Sequence, residues 1–181
     1  MHMNTYYPEK GFTVWLTGYS GAGKTTISQR LREKLFAKAM SCEILDGDLV
    51  RQNLCRDLGF SEEDRCMNIM RIGFVAEILS RHGIGVIVSA ISPYRAARNH
   101  VRDRIVNFVE VYVKCSIEAC EMRDVKGLYK KARRGELERF TGISDRYEEP
   151  ENPEIVVDTE AESVEESVNK ILSGLEKLNL I

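Results

Sequence analysis

An apolar run, Phe12–Leu16, leads into Gly18-Tyr-Ser-Gly-Ala-Gly-Lys-Thr25, and the residues from Lys24 onward take an amphipathic helical pattern. This order of strand, glycine loop and helix constrains the chain more than any other feature. It matches the phosphate-binding pattern G-x-x-x-x-G-K-[ST] in the strand-to-helix setting that pattern requires. Glycines let the backbone curl until successive N–H groups converge on phosphate oxygens, and the helix that follows aims its positive end at the same anion. The loop is therefore expected to bind a nucleoside triphosphate. Lys24 would set a cation against the β- and γ-phosphates, and the Thr25 hydroxyl would complete the shell of a Mg²⁺ ion whose other ligands are mostly phosphate oxygens and water.

Further along, short β-type runs alternate with helical periods. The pattern predicts strands at Phe12–Thr17, Cys42–Asp46, Gly85–Ile91, Phe108–Lys114 and Glu154–Asp158. Between them it predicts helices at Lys24–Ala39, Asp64–His82, Pro93–Val106 and Ser116–Arg123, with a closing amphipathic helix at Ser163–Leu178. Such alternation implies crossover connections, hence an α/β fold with a mostly parallel sheet and helices on both faces. Ligands of these sheets bind beyond the carboxyl ends of the strands, so the loop at Gly18, the acids Asp46 and Asp48, and Ser92 are expected along one edge. The exception to the alternation is Asp124–Pro153, charged, with three glycines, two prolines and no strand pattern. A loop of that length in a compact fold reads as a lid or as disorder.

A length of 181 residues with 43% hydrophobic and 30% charged positions suits one soluble domain, with Met1–Lys10 as a short lead. A net charge of −2 gives no single-sign field, which disfavours a nucleic-acid binder. The apolar runs are too short to span a membrane and the lead has no signal-peptide core, so the expected location is the cytoplasm. Five cysteines without a C-x-x-C pair argue against a disulfide framework and against a zinc site.

Three constellations accompany the loop. Leu45-Asp-Gly-Asp-Leu-Val-Arg51 puts two carboxylates where a strand ends, with an arginine one helical turn later. One acid can take a proton from an attacking hydroxyl or orient the waters of Mg²⁺, and the arginine can grip an anion; alternatively D-G-D is a turn and a helix N-cap. Asp48, outside the strand, is the preferred catalytic carboxylate, and Asp46 the one that positions it. The second constellation is Phe60 with Arg65, Asn68 and Arg71 at three-residue spacing, read either as a cationic face for an anionic nucleotide whose base stacks on Phe60, or as surface charges paired with Glu62, Glu63 and Asp64. The third, Arg123–Arg134 continuing to Phe140–Ile143, is densely basic: a lid closing over phosphates, or a solvated helix laced with salt bridges.

These motifs together resemble the adenylyl-sulfate kinases. The resemblance runs from about Gly11 to Thr159 and rests on GYSGAGKTT at Gly18–Thr26, LDGD-x-x-R at Leu45–Arg51 and DLGFS-x-EDR at Asp57–Arg65, with ISPYR at Ile91–Arg95, RDVKGLYKKAR at Arg123–Arg133 and FTGI at Phe140–Ile143. It implies transfer of the γ-phosphoryl of ATP to the 3′-hydroxyl of adenosine 5′-phosphosulfate with Mg²⁺, in sulfate assimilation or activation. Carried over by position, it implies that Gly18, Tyr19, Ser20, Gly21, Ala22, Gly23, Lys24, Thr25 and Thr26 hold ATP. The sulfate-bearing nucleotide would meet Asp46, Asp48, Arg51, Phe60, Arg65, Asn68, Ile91, Ser92, Lys126 and Phe140. Thr25 and Asp48 would serve Mg²⁺, and Lys24, Asp48 and Ser92 are the catalytic candidates. Family members are described as having a serine at the position of Ser92 that can carry phosphate; on the residues alone it is also a helix N-cap ahead of Pro93. The resemblance further implies a homodimer and functional coupling to a separate ATP sulfurylase.

The chain departs from the family pattern at Met67, where many relatives have an acid, and at Ala90, where many have an aromatic residue. Its short lead replaces a longer arm associated with subunit contact and inhibition by excess substrate, so weaker inhibition is expected. Two rival readings are a kinase for another small hydroxyl-bearing metabolite and a GTP-operated switch. For the switch, Asp124-Val-Lys-Gly127 spells D-x-x-G, but the chain has no N-K-x-D guanine-reading motif.

Overall fold

A computed structural model describes residues 11–181; the lead Met1–Lys10 and the reading attached to it lie outside the described residues. Five strands form one parallel sheet: β1 (Thr13–Thr17), β2 (Cys42–Asp46), β3 (Gly85–Ser89), β4 (Phe108–Lys114) and β5 (Ile155–Asp158), in spatial order β2-β3-β1-β4-β5. The helices are α1 (Lys24–Ala37), α2 (Gly47–Asn53), α3 (Glu62–Arg81), α4 (Arg95–Arg102), α5 (Ile117–Arg123), α6 (Leu128–Arg133) and α7 (Val164–Lys177).

The central strands β1, β3 and β4 are buried on both faces, as interior strands of a parallel sheet covered by helices are. Val14 and Leu16 of β1 join the core under α1 and α7, with Ile27, Leu31 and Leu35 stacked at helical spacing and Val168, Ile171 and Leu175 opposite them. Trp15 points the other way, into a second core with Val86 and Val88 of β3, Ile69, Ile72 and Ala76 of α3, and Ala97 and Val101 of α4. Gly73 allows α3 and α4 to approach closely, since a Cβ there would sit 2.7 Å from both methyl groups of Val101. The central strand β1 has β3 on one side and β4 on the other, so the order reverses at its carboxyl end. In doubly wound sheets that is where ligands bind.

Element types follow the sequence pattern, with corrections at the ends and two additions. The helix expected from Pro93 starts at Arg95, because Ser92 is held at φ 50, outside the helical region, and Tyr94 is the N-cap. Ser92 is therefore not a helix cap. That helix ends at Arg102, short of Val106, and β3 ends at Ser89, short of Ile91. Ser61, Ser116 and Ser163 cap α3, α5 and α7 by accepting hydrogen bonds from Asp64 N, Ala119 N and Glu166 N. The additions are α2 and α6, each too short to show a period. Within Asp124–Pro153 lie α6 and a bridge between Thr141 and Asp145.

Candidate active site

The loop after β1 wraps around the Lys24 side chain. Its ammonium donates to the carbonyls of Gly18 (2.9 Å) and Tyr19 (2.6 Å), and burial pushes its pKa down from 10.5 to about 8. Gly23, at φ 100, is the N-cap of α1 and has no side chain to close the helix end. Hydroxyls or carboxylates serve the first turns of α2, α3, α5 and α7, Glu148 accepts from Arg95 N at α4, and Asp124 accepts from Tyr129 N and Lys130 N at α6. Among the described residues, α1 alone presents a first turn with no such partner, which leaves its N–H groups and dipole for an anion.

Beyond this loop opens a cleft of about 1140 Å³. It is lined by Ser20, Gly21, Gly23, Lys24, Thr25 and Thr26 on one side and by Arg51, Phe60, Arg65, Asn68, Ile91, Ser92 and Phe140 on the other, with Asp46, Asp48 and Lys126 also in its wall. Three residues of the glycine loop are not in the lining: Gly18 lies at the end of β1, Ala22 is buried in the core, and Tyr19 packs its ring 4.8 Å from that of Tyr147. The strands bring Thr17, Asp46 and Ser89 to the same edge of the sheet, as the alternation requires.

Asp46 caps α2, one carboxylate oxygen accepting from Asp48 N at 2.9 Å, while the other accepts from the Thr25 hydroxyl at 3.3 Å. The helix-cap reading of D-G-D therefore holds, and the cap bond fixes the backbone at Asp48. Asp48 is exposed and pairs with the ammonium of Lys126 from the basic segment. It lies within electrostatic reach of Lys24 on one side and Arg51 on the other. Thr25 and Asp46 offer hard oxygen donors next to the phosphate loop, the donor type Mg²⁺ takes. The sequence reading gave the metal to Thr25 and Asp48; in the fold the acid that meets the Thr25 hydroxyl is Asp46. No group of three or more His, Cys, Asp or Glu side chains gathers among the described residues, at this site included, so a divalent ion here would draw most ligands from phosphates and water.

The far wall is cationic, and Arg51 in it has no ion-pair partner among the described residues. Arg51 lies 4.5 Å above the Phe60 ring and Arg65 5.4 Å from it. Burial lowers the pKa of both guanidinium groups, and for Arg51 the charge of Arg65 adds to the effect. An anion placed between them would relieve that cost. Arg65 pairs with Asp145 at 3.4 Å and not with its helix neighbours Glu62, Glu63 or Asp64. Arg71 is the member of the triplet that leaves the site, making a bidentate pair with Asp57. Each three-residue step on a helix slips by about 60°, so two steps carry it off the face. Two buried oxygens in the cleft lining, Asn68 Oδ1 and Thr141 Oγ1, have no protein partner, as expected where a ligand supplies one. Of the remaining basic residues, Arg133 pairs with Glu121 and Arg134 with Glu136 on the surface.

Ser92 is buried in the cleft wall, its hydroxyl accepting from the Trp15 indole at 2.9 Å and its carbonyl from Arg98 at 2.6 Å. Arg98 in turn pairs with buried Glu110 at 2.7 Å and donates to the Glu148 carbonyl. Sequence reasoning did not find Thr141 and Arg139, whose carbonyl accepts from Arg65, in this wall, or Trp15 and Arg98 supporting it. Their partners lie up to 77 positions away, as with Trp15 and Ser92, and the one local hint was that Thr141 stands beside Phe140 in FTGI.

A doubly wound sheet with a lysine-bearing glycine loop at its switch point, an acid pair beside it and a cationic wall facing it defines a P-loop kinase, an enzyme that moves a phosphoryl group between two bound molecules. The model of the adenylylsulphate kinase family matches residues 10–158. An adenylyl-sulfate kinase of Microcystis aeruginosa (strain NIES-843 / IAM M-2473) is 58% identical over 173 residues, 96% of each chain. Among solved structures, the Mycobacterium tuberculosis APS kinase in complex with AMPPNP and APS superposes with a TM-score of 0.90 at 41% identity, covering 93% of this chain and 99% of that one. The hexameric APS kinase from Thiobacillus denitrificans gives 0.71 at 35% identity, over 96% of this chain and 30% of that chain. The chain belongs to the adenylylsulphate kinase family and is an ATP-dependent kinase of that kind, which sets aside the GTP switch and the kinase for an unrelated metabolite.

Proposed function

We propose that the cleft holds ATP and adenosine 5′-phosphosulfate end to end, and that the γ-phosphoryl passes in line to the 3′-hydroxyl. Gly18–Thr26 take the triphosphate, with Lys24 and the loop N–H groups neutralising charge that builds up on the transferring group. Asp48 takes the proton of the 3′-hydroxyl; Asp46 holds Asp48 through its backbone and stands with Thr25 beside the site for Mg²⁺. Thr25 and Asp46 would hold Mg²⁺, which would supply charge neutralisation to the transferring phosphoryl group. On the acceptor side Arg51 and Arg65 face the phosphosulfate, Phe60 and Phe140 offer aromatic faces to the base, and Asn68, Ile91 and Ser92 complete the wall. Lys126 leaves Asp48 to meet the incoming anions, which frees the carboxylate for the hydroxyl. Ser92 serves this reaction by shaping the wall, since in-line transfer needs positioning and charge stabilisation and no enzyme nucleophile.

The observation that carries this reading is the single cleft in which Asp48 stands within reach of both Lys24 and Arg51. The Mycobacterium relative, solved with an ATP analogue and APS, supports the same pair of ligands here. We read the chain as one kinase domain whose basic segment, 124–153, is the lid. A homodimer rests on the family resemblance, with a hexamer as the other arrangement known from the Thiobacillus relative, and sedimentation of the purified protein separates them. A cytoplasmic enzyme receiving adenylyl sulfate from a separate ATP sulfurylase, with neither nucleic acid nor membrane as partner, fits the balanced charge. It also fits a described chain in which no helix is long and apolar enough to cross a membrane. The test is a coupled assay with ATP, Mg²⁺ and adenosine 5′-phosphosulfate, with adenosine monophosphate as the unsulfated control. ADP released with the monophosphate as fast as with the phosphosulfate would defeat the assignment of the acceptor.

A further inference from the structure

Tyr129 belongs to neither nucleotide site, yet it touches the frame of both. It lies in the first turn of α6 and is buried. Its hydroxyl donates to the carbonyl of Ser20, inside the phosphate loop, at 2.9 Å. Its ring meets Phe140 edge-on, with centroids 5.0 Å apart and planes at 79°. Its own N–H, with that of Lys130, is held by the carboxylate of Asp124 at 3.0 Å and 3.1 Å, which fixes α6 onto the end of α5. Three residues before it, Lys126 reaches Asp48.

Each contact has a mechanical consequence. In a trans peptide the C=O and the following N–H point in opposite directions, so anchoring the Ser20 oxygen from the Tyr129 side aims the Gly21 N–H away from Tyr129. Gly21 lines the cleft at the phosphate end. The ring contact sets the height of Phe140, one of the two aromatic residues, with Phe60, placed in the acceptor wall. Because hydroxyl and ring belong to one rigid side chain with only two rotatable bonds, movement at Ser20 and movement at Phe140 are not independent.

We propose that Tyr129 is the positioning residue that couples the donor and acceptor sites, so that filling the phosphate loop with a nucleotide orders α6 and Phe140 in the arrangement the second nucleotide needs. This rests on the reading of the cleft as a site for two nucleotides. The coupling is a free energy shared by the two sites and is reciprocal: each ligand tightens the other by the same factor. The side chain touches neither ligand, and its removal changes the coupling more than either intrinsic affinity.

The test is the affinity of the purified protein for adenosine 5′-phosphosulfate with and without a saturating non-hydrolysable ATP analogue, in the wild type and in Tyr129→Phe. The wild type is expected to bind the phosphosulfate more tightly when the analogue is present. Tyr129→Phe keeps each single-ligand affinity within about twofold and loses about fivefold of that enhancement, the size of one hydrogen bond. A side chain with only a structural role would lower the melting temperature or weaken both ligands alike and leave the ratio unchanged, and that result overturns the proposal. Hydrogen exchange on the wild type gives a second reading that needs no variant: amides of 128–133 slow when the ATP analogue alone is added, and no change there also overturns it. A wild type that binds the ATP analogue but shows no affinity for the phosphosulfate defeats the reading of the acceptor site itself. A wild type that binds both with equal affinity whether alone or together defeats the coupling only.

Discussion

Raising the pH from 7 to 9 weakens binding of the ATP analogue AMPPNP, and the size of the effect follows from Lys24. Its ammonium sits buried in the glycine loop, where lost hydration pulls its pKa down from 10.5 to about 8. A bound triphosphate puts negative charge against the same group and favours its protonated form, so in the complex the pKa returns toward the ordinary lysine range. Above pH 8 the free protein has lost a proton that the complex keeps, and binding must take one up. The association constant then falls with rising pH, by about tenfold between pH 7 and pH 9. For folding the sign is opposite. The unfolded chain, with lysine near 10.5, binds more protons than the ligand-free native state between about 8 and 10.5, so this group's contribution to stability rises with pH across that window. Calorimetric titrations at pH 7, 8 and 9, in buffers of different ionisation enthalpy, read affinity and proton uptake together. About one proton should be taken up at pH 9 and close to none at pH 7. Equal affinity at the three pH values with no proton uptake would refute the argument that Lys24 is desolvated before the nucleotide arrives.

Replacing Asp48 by Asn should lower turnover by about 10²–10⁴-fold, the usual worth of a general base, with affinity for the ATP analogue largely kept; loss of analogue binding instead would move Asp48 to a metal role. Ser92→Ala leaves the Trp15 indole N–H buried without its acceptor, and should cost about 1–3 kcal/mol in a urea titration while turnover persists. A folded Ser92→Ala protein with no turnover would restore a covalent role for the serine. Glu110→Gln removes the buried charge that faces Arg98 and should destabilise the fold by about 3–5 kcal/mol, read as a lowered urea midpoint; an unchanged midpoint would show that hydrogen bonds alone, with the Ser92 and Glu148 carbonyls among the acceptors, satisfy Arg98.

The phosphate loop, the five parallel strands and five of the seven helices were legible in the sequence because each is encoded locally. The glycine spacing, a run of β-branched residues and a three-to-four residue period all act between near neighbours. The same holds for Asp46, Asp48, Arg51, Arg65 and Asn68, which sit in short motifs that keep their spacing when folded. The seven-residue α2 and six-residue α6 span fewer than two turns and show no period, so they were legible only as parts of motifs.

Tertiary structure decided which of those residues face one another. It turned Arg71 out to Asp57 and brought Lys126 onto Asp48 across 78 positions. It placed the Trp15 indole on Ser92 across 77 and the Tyr129 hydroxyl on Ser20 across 109. It also left Asn68 and Thr141, in the cleft lining, with buried oxygens that have no protein partner. A sequence carries the propensity of each segment, but a contact between distant segments exists only when the sheet has fixed its order and its register. The chain alone therefore named the chemistry, and the packing of helices on the sheet determined which groups meet to perform it.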